Sequence, residues 1–140
     1  MPDTPTPNPV PFATQAWADA FRAAINNSPT YQAAARQWEG DFWFIVDAEG
    51  DMPSVPIYLD LWHGECRLCE VAVSEAARKP EFRIAGSRRA WQRVASREID
   101  PIRALMTGTL KIKGSMGKIM RNVKAAQELV LCASAVSTAF

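Results

Sequence analysis

Cys66-Arg67-Leu68-Cys69, with His63 just ahead of it, is where residue types and spacing come nearest to chemistry. Thiolates and imidazoles are zinc ligands, redox pairs and the components of hydrolytic centres. The setting works against all three. On a strand, residues three apart point to opposite faces, so these thiols could meet one ion only across a bulge or turn, and a fourth ligand is missing. A redox pair belongs at a helix N-terminus after a strand, whereas this pair lies inside β-like sequence. His63 is the single histidine, falls in an expected turn, and has no nucleophile-elbow sequence to serve as base. Gly108, Gly114 and Gly117 bracket a strand and form no phosphate-cradling loop. No catalytic residue, metal site or cofactor is expected, and the chain reads as non-enzymatic.

The elements around that segment are legible from periodicity. With 140 residues, 48% of them hydrophobic, the chain has the size of one domain that can bury a core without disulfides or metals. Three cysteines, an odd number, suggest free thiols. No apolar run reaches the roughly 18 residues of a membrane span. The opening MPDTPTPNPVPF lacks the basic start and apolar stretch of a secretory signal, so a soluble, cytoplasmic protein is expected. Its prolines and small polar residues predict an extended, disordered arm over residues 1–11, ahead of a domain over 12–140.

Trp17, Ala20, Phe21, Ala24 and Ile25 recur at helical spacing and predict an amphipathic helix from Thr14 to Asn26. Ser28-Pro29 supplies a cap followed by proline, which starts a second helix running to about Trp38. Three strands are expected over Phe42–Asp47, Val55–Trp62 and Cys66–Val73, joined as a meander with a tight turn at His63-Gly64. Ile57, Leu59 and Leu61 share one face, as do Cys69, Val71 and Val73, and both faces should point inward. The opposite side presents Trp43, Tyr58 and Trp62. These aromatics either meet a partner, as in a homodimer, or lie under the N-terminal arm or a helix; covering is the blander reading, and the sequence does not decide.

A fourth strand is expected over Glu81–Ala85, with Ser87 capping a helix whose buried stripe is Trp91, Val94 and Ala95. Asp100-Pro101 repeats the cap-plus-proline signal for a short helix that Gly108 stops. Thr109–Lys113 alternates as a half-exposed strand, and an apolar stripe from Ile119 to Ala133 predicts one helix from Met116 to about Ser137.

Net charge is only +1, yet thirteen of the sixteen Lys and Arg lie between Arg78 and Lys124 with three acids among them. No DNA- or RNA-binding motif accompanies this segregation, so nucleic acid is not an expected partner. Arg103, Lys111, Lys113, Lys118 and Arg121 are instead expected to face anionic membrane headgroups, each contributing about 1 kcal/mol near the surface.

The segment EFRIAGSRRAWQRVASREIDPIRALMTGTLKIKGSMGKIM resembles the C-terminal half of the sterol carrier protein family of lipid-binding domains. The matching features are a strand, a capped helix with central Trp91, Asp-Pro opening the next helix, an apolar pair before Gly108, then Leu110-Lys-Ile-Lys-Gly114 and Met116. The resemblance implies an α+β fold, a mixed five-stranded sheet covered by about five helices, enclosing an apolar tunnel for a fatty acyl chain, sterol-like molecule or phospholipid. It places Leu105, Met106, Leu110, Ile112, Met116, Ile119 and Met120 on the tunnel wall, with Phe82, Ile84, Trp91 and Val123 as second choices. Methionine suits such a wall because its unbranched thioether adapts to irregular ligands. An alternative function for the same fold is an oligomeric accessory module that presents a lipid-like substrate to a partner enzyme.

Overall fold

The structure, a computed structural model, describes residues 9–140, so residues 1–8 of the expected arm lie outside it. Its first element, β1 (Val10–Pro11), pairs in parallel with the last, β7 (Thr138–Ala139).

Helix starts lie where side-chain oxygens can take up free amides. Thr14 accepts from the Trp17 N–H ahead of α1 (Gln15–Asn26), and Ser28 from the Tyr31 N–H ahead of α2 (Pro29–Ala34). Ser87 caps α3 (Arg88–Ala95) and Asp100 caps α4 (Pro101–Met106). The second helix ends four residues earlier than its periodicity suggests. Ala35 terminates it, and a turn brings Trp38 into the core with its N–H on the Ala35 carbonyl.

Strands β2 (Glu39–Val46), β3 (Val55–Trp62) and β4 (Glu65–Val71) form the expected meander. His63 and Gly64 both have positive φ, 51° and 85°, which a two-residue hairpin turn of primed type requires. A side chain at Gly64 would also strike the Gln32 backbone, with a Cβ 2.8 Å from its carbonyl oxygen. Strand β5 (Phe82–Gly86) pairs in parallel with β2, and β6 (Lys111–Lys113) adds an antiparallel edge, giving the order β4-β3-β2-β5-β6.

The last helix is two. α5 (Met116–Met120) stops at Arg121, and Asn122, with φ −130° and ψ 36°, leaves the helical region before α6 (Val123–Ser134). The Asn122 amide donates back to the Lys118 carbonyl at 2.8 Å, a local bond that competes with helix continuation. An unbroken apolar stripe conceals this break, because the side chains before and after it still face the same core.

Phe42, Phe44 and Val46 alternate onto the helix-covered face of the sheet, where they join Ile57, Leu59, Leu61, Phe82 and Ile84 in the main core. The inward set expected on the third strand holds for Cys69 but not for Val73, which lies past the end of β4 and is fully exposed. On the other face, Trp43, Ile45, Tyr58 and Ala85 make a second, smaller cluster. Its cover is the β4–β5 connection: Ala72 packs on the cluster and the Arg78 guanidinium sits 4.2 Å from the Tyr58 ring centre. Trp62 remains exposed, with Arg67 stacked 4.6 Å from its ring centre.

Candidate functional site

Between the sheet and the helices lies an apolar cavity of about 110 Å³. The sheet supplies one wall with Phe42, Phe44, Val46, Ile57, Leu61 and Ile84. Trp17 and Phe21 of α1, Tyr31 of α2 and Trp38 close one side. The opposite wall comes from Trp91 and Val94 of α3, Leu105 of α4, Ile119 of α5 and the small-residue face of α6, Ala125, Ala126, Leu129 and Ala133. Alanine on α6 keeps this helix from filling the space that the aromatic side leaves.

The polar atoms of the lining are mostly engaged elsewhere. The Trp17 indole donates to Thr138 Oγ1 at 3.0 Å, Trp38 to the Gly40 carbonyl at 3.1 Å and Trp91 to the Ile45 carbonyl at 2.9 Å. Each indole therefore offers the cavity a hydrocarbon face. The Asn122 amide is committed to Lys118, and burial pushes the Tyr31 phenol well above its ordinary value, so the ring stays neutral. A site without polar partners holds water poorly and takes apolar matter readily.

Of the side chains that sequence and resemblance place on this wall, Leu105, Leu110, Ile119, Ile84 and Trp91 line the cavity. Phe82, Ile112, Met116 and Val123 belong to the surrounding core and do not reach the lining. Met106 and Met120 point away from it, 70% and 45% exposed. Helix geometry gives the reason: Leu105 and Ile119 face inward, and the next residue on each helix is turned by about 100°.

The lining from the first half of the chain, Trp17, Phe21, Tyr31, Trp38, Phe42, Phe44 and Val46, is not singled out by sequence pattern or resemblance. The alternation of Phe42, Phe44 and Val46 was the available signal. Gly86 shows how close the packing is at the far end: a Cβ there would fall 2.5 Å from Leu110 Cδ2.

Among the expected membrane-facing cations, Arg103, Lys111, Lys113 and Arg121 are exposed. Lys118 is not free for that role. Its ammonium is held by Glu81 at 2.9 Å and by the Glu39 carbonyl, 4.8 Å from the Trp38 ring centre.

The two thiols of Cys66 and Cys69 do share a face, against the expectation from strand alternation. Leu61 pairs with Cys66 while Asp60 pairs with Leu68, so Arg67 is an extra, bulged residue. That bulge turns both sulfurs into the core, where they are free and buried. The hydrogen bond shared with Cys66, and then burial, push the Cys69 thiol far above its ordinary value. A thiol held protonated is a poor nucleophile and metal ligand. His63 lies apart, its Nε2 2.6 Å from Glu39 Oε2 on the surface. Among the described residues no group of three or more His, Cys, Asp or Glu could hold a metal ion, and no helix is long and apolar enough to cross a membrane.

Residues 19–127 match the family model described as the SCP-2 sterol transfer family. The chain belongs to that family. A crystal structure of sterol carrier protein 2 is 36% identical, with a TM-score of 0.83 over 89% of this chain and 98% of that one. A solution structure of a conserved hypothetical protein from Thermus thermophilus, described as possibly a sterol carrier protein, is 33% identical, with a TM-score of 0.84 over 95% and 94%. A ubiquinone synthesis protein, UbiJ-SCP2, shares the fold at 15% identity, with a TM-score of 0.56 over 87% and 97%. No curated protein sequence matches the chain. The mixed five-stranded sheet with six α-helices among the described residues is thus an SCP2 fold. Membership implies lipid binding or transfer in general terms, the property by which domains of this family are generally carriers.

Proposed function

We propose that the apolar cavity is the binding site for a lipid or other hydrophobic ligand, held without covalent chemistry and passed on by contact with a membrane. The observation that carries this reading is a buried space walled by aromatic faces and small aliphatic side chains, with every lining indole N–H directed into the protein instead. Each methylene buried there contributes roughly 0.8 kcal/mol, so one acyl chain can be retained by surface burial alone.

At about 110 Å³ the cavity is of the size that accepts a small apolar molecule, so a longer chain enters as the helical wall moves outward. The wall suited to move is α5 and α6, which are separate helices hinged at Asn122. Exposed Met106 and Met120, flanked by Arg103 and Arg121, give that side the apolar and cationic character of a surface that settles on anionic headgroups. An accessory role would draw on an open aromatic face, and Trp43 and Tyr58 are covered within the chain itself.

Native mass spectrometry of the purified protein followed by organic extraction tests the proposal. A co-purified lipid, or uptake of a fluorescent acyl probe, is the expected result; a chain that is empty and refuses such probes would overturn it.

A further inference from the structure

Helix α5 is a short piece of the cavity wall with a slight hold on the rest of the protein. Ile119 is buried and reaches the cavity, whereas Gly117 and Met120 are exposed and Met116 and Lys118 half-buried. Both ends of the helix can turn. Gly114, just ahead of the Ser115 cap, has φ 132°, and Asn122 behind the helix leaves the helical region.

Lys118 pins this helix to the sheet. The parallel ladder between β2 and β5 starts at Phe42 and Phe82, so the Glu39 carbonyl lies beyond its end, with no β5 residue opposite. The Lys118 ammonium donates to that carbonyl and to both carboxylate oxygens of Glu81, the latter at 2.9 and 3.1 Å. The ring centres of Trp38 and Phe82 lie 4.8 and 5.7 Å from the same nitrogen, within reach of a cation–π contact. Gly40 leaves room for the arrangement: a Cβ there would sit 3.4 Å from Lys118 Nζ and 3.1 Å from Glu81 Oε1. An ammonium that is only 27% exposed, with charged and neutral acceptors and an aromatic floor, is held more firmly than an ordinary surface pair. Trp38 and Ile119 both line the cavity, so this contact closes the wall where α5 meets the sheet.

We propose that Lys118 is a latch on α5, and that its release from Glu81 and the Glu39 carbonyl lets the helix swing on Gly114 and Asn122 so that a hydrophobic ligand passes beside Ile119. The inference rests on the carrier reading and supplies the control of its moving wall. The hold is polar and reached by water, so it can break and re-form while the sheet and α6 stay packed, which the apolar contacts of the core do not allow. Lys118 is thus a positioning residue: it sets how fast ligand enters and leaves and touches no ligand itself.

Stopped-flow exchange of a fluorescent acyl probe between the full chain and vesicles of neutral phosphatidylcholine tests this, since neutral lipid removes any attraction of headgroups for the basic surface. Lys118→Met keeps an unbranched stem against Trp38 and removes the ammonium; Glu81→Gln leaves Lys118 in place and removes its acidic acceptor. Lys118→Met should raise the association and dissociation rates together by about tenfold, and Glu81→Gln by a smaller factor, with equilibrium affinity altered by less than about threefold, because the latch closes over the empty and the loaded cavity alike. Hydrogen exchange gives a second reading. The Arg121 and Asn122 amides, which bond to Gly117 and Ile119, should exchange faster in Lys118→Met while those of β3 keep their protection. Unchanged probe rates in both variants would overturn the latch and leave the carrier reading standing; so would faster rates accompanied by an equal loss of protection in β3, which would mean general loosening. Should Lys118→Met fail to fold, the Glu81→Gln rates decide. Wild type that takes up no probe would overturn both readings.

Discussion

The indole of Trp91 donates to the carbonyl of Ile45 at 2.9 Å, tying the middle of α3 to the central strand β2 across the edge of the cavity. The same ring lies 5.0 Å from that of Phe44, so one side chain both anchors the helix and lines the space. Trp91→Phe keeps the ring contact and removes the donor. It should lower the unfolding free energy by about 1 kcal/mol, the usual worth of a hydrogen bond between neutral groups, with ligand uptake retained. Urea denaturation beside probe binding separates the two effects.

Filling the cavity should act in the opposite sense. Ala126 lines it on α6, and Ala126→Phe would occupy space that a ligand needs. The expected outcome is a folded variant that takes up an acyl probe at least about tenfold more weakly. Met106→Glu, on the exposed end of α4, should leave uptake in solution unchanged. Reversed results would move the binding site away from the cavity.

Vesicle association supplies a separate readout. Arg103→Glu with Arg121→Glu should weaken binding to vesicles containing anionic lipid by about tenfold or more and reduce its dependence on salt, with binding to neutral vesicles unaltered. Co-sedimentation at low and high ionic strength would show it. Lys118 is the wrong cation for this test, since its replacement breaks the contact with Glu81 and the stacking over Trp38.

Stability should fall on the alkaline side. Burial raises Tyr31 and Cys132, and the hydrogen bond with Cys66 together with burial raises Cys69, so each stays protonated in the folded protein above its ordinary value. The unfolded chain releases those protons first, and rising pH therefore favours it. The unfolding free energy should hold steady below about pH 8 and decline as pH passes through roughly 8.5 to 10, the ordinary range of thiols and phenols. Denaturant titrations at three pH values would check this. A native protein that reacts promptly with a thiol reagent at pH 8 would contradict the burial of all three cysteines.

Much of this architecture is written in short-range signals. Ser28-Pro29 and Asp100-Pro101 mark helix starts to the residue because a cap and a proline act on their own backbone neighbours. Val55–Trp62 is a strand at both ends as its alternation indicates. What escaped depends on long-range register or on rotation about an axis. The bulge at Arg67 arises from pairing with Asp60 and Leu61, which no pattern within β4 reveals. The outward turn of Met106 and Met120 follows from which neighbour, Leu105 or Ile119, wins the inward position. Part of the cavity wall comes from Trp17, Phe21 and the Phe42–Val46 alternation, far in sequence from the segment that carries the family's pattern.

The pairing of β1 with β7 has a mechanical consequence. Val10 bonds through its N–H to the Ser137 carbonyl and Phe12 to that of Ala139, with both strands running the same way. Tension applied through the chain on the far sides of these strands would pull them past each other lengthwise. Both bonds, and the Phe12–Phe140 ring contact beside them, would then bear the load together and break together. The first and last strands thus form a clasp loaded in shear, and Phe12, which also lines the cavity, would give way only when that clasp does.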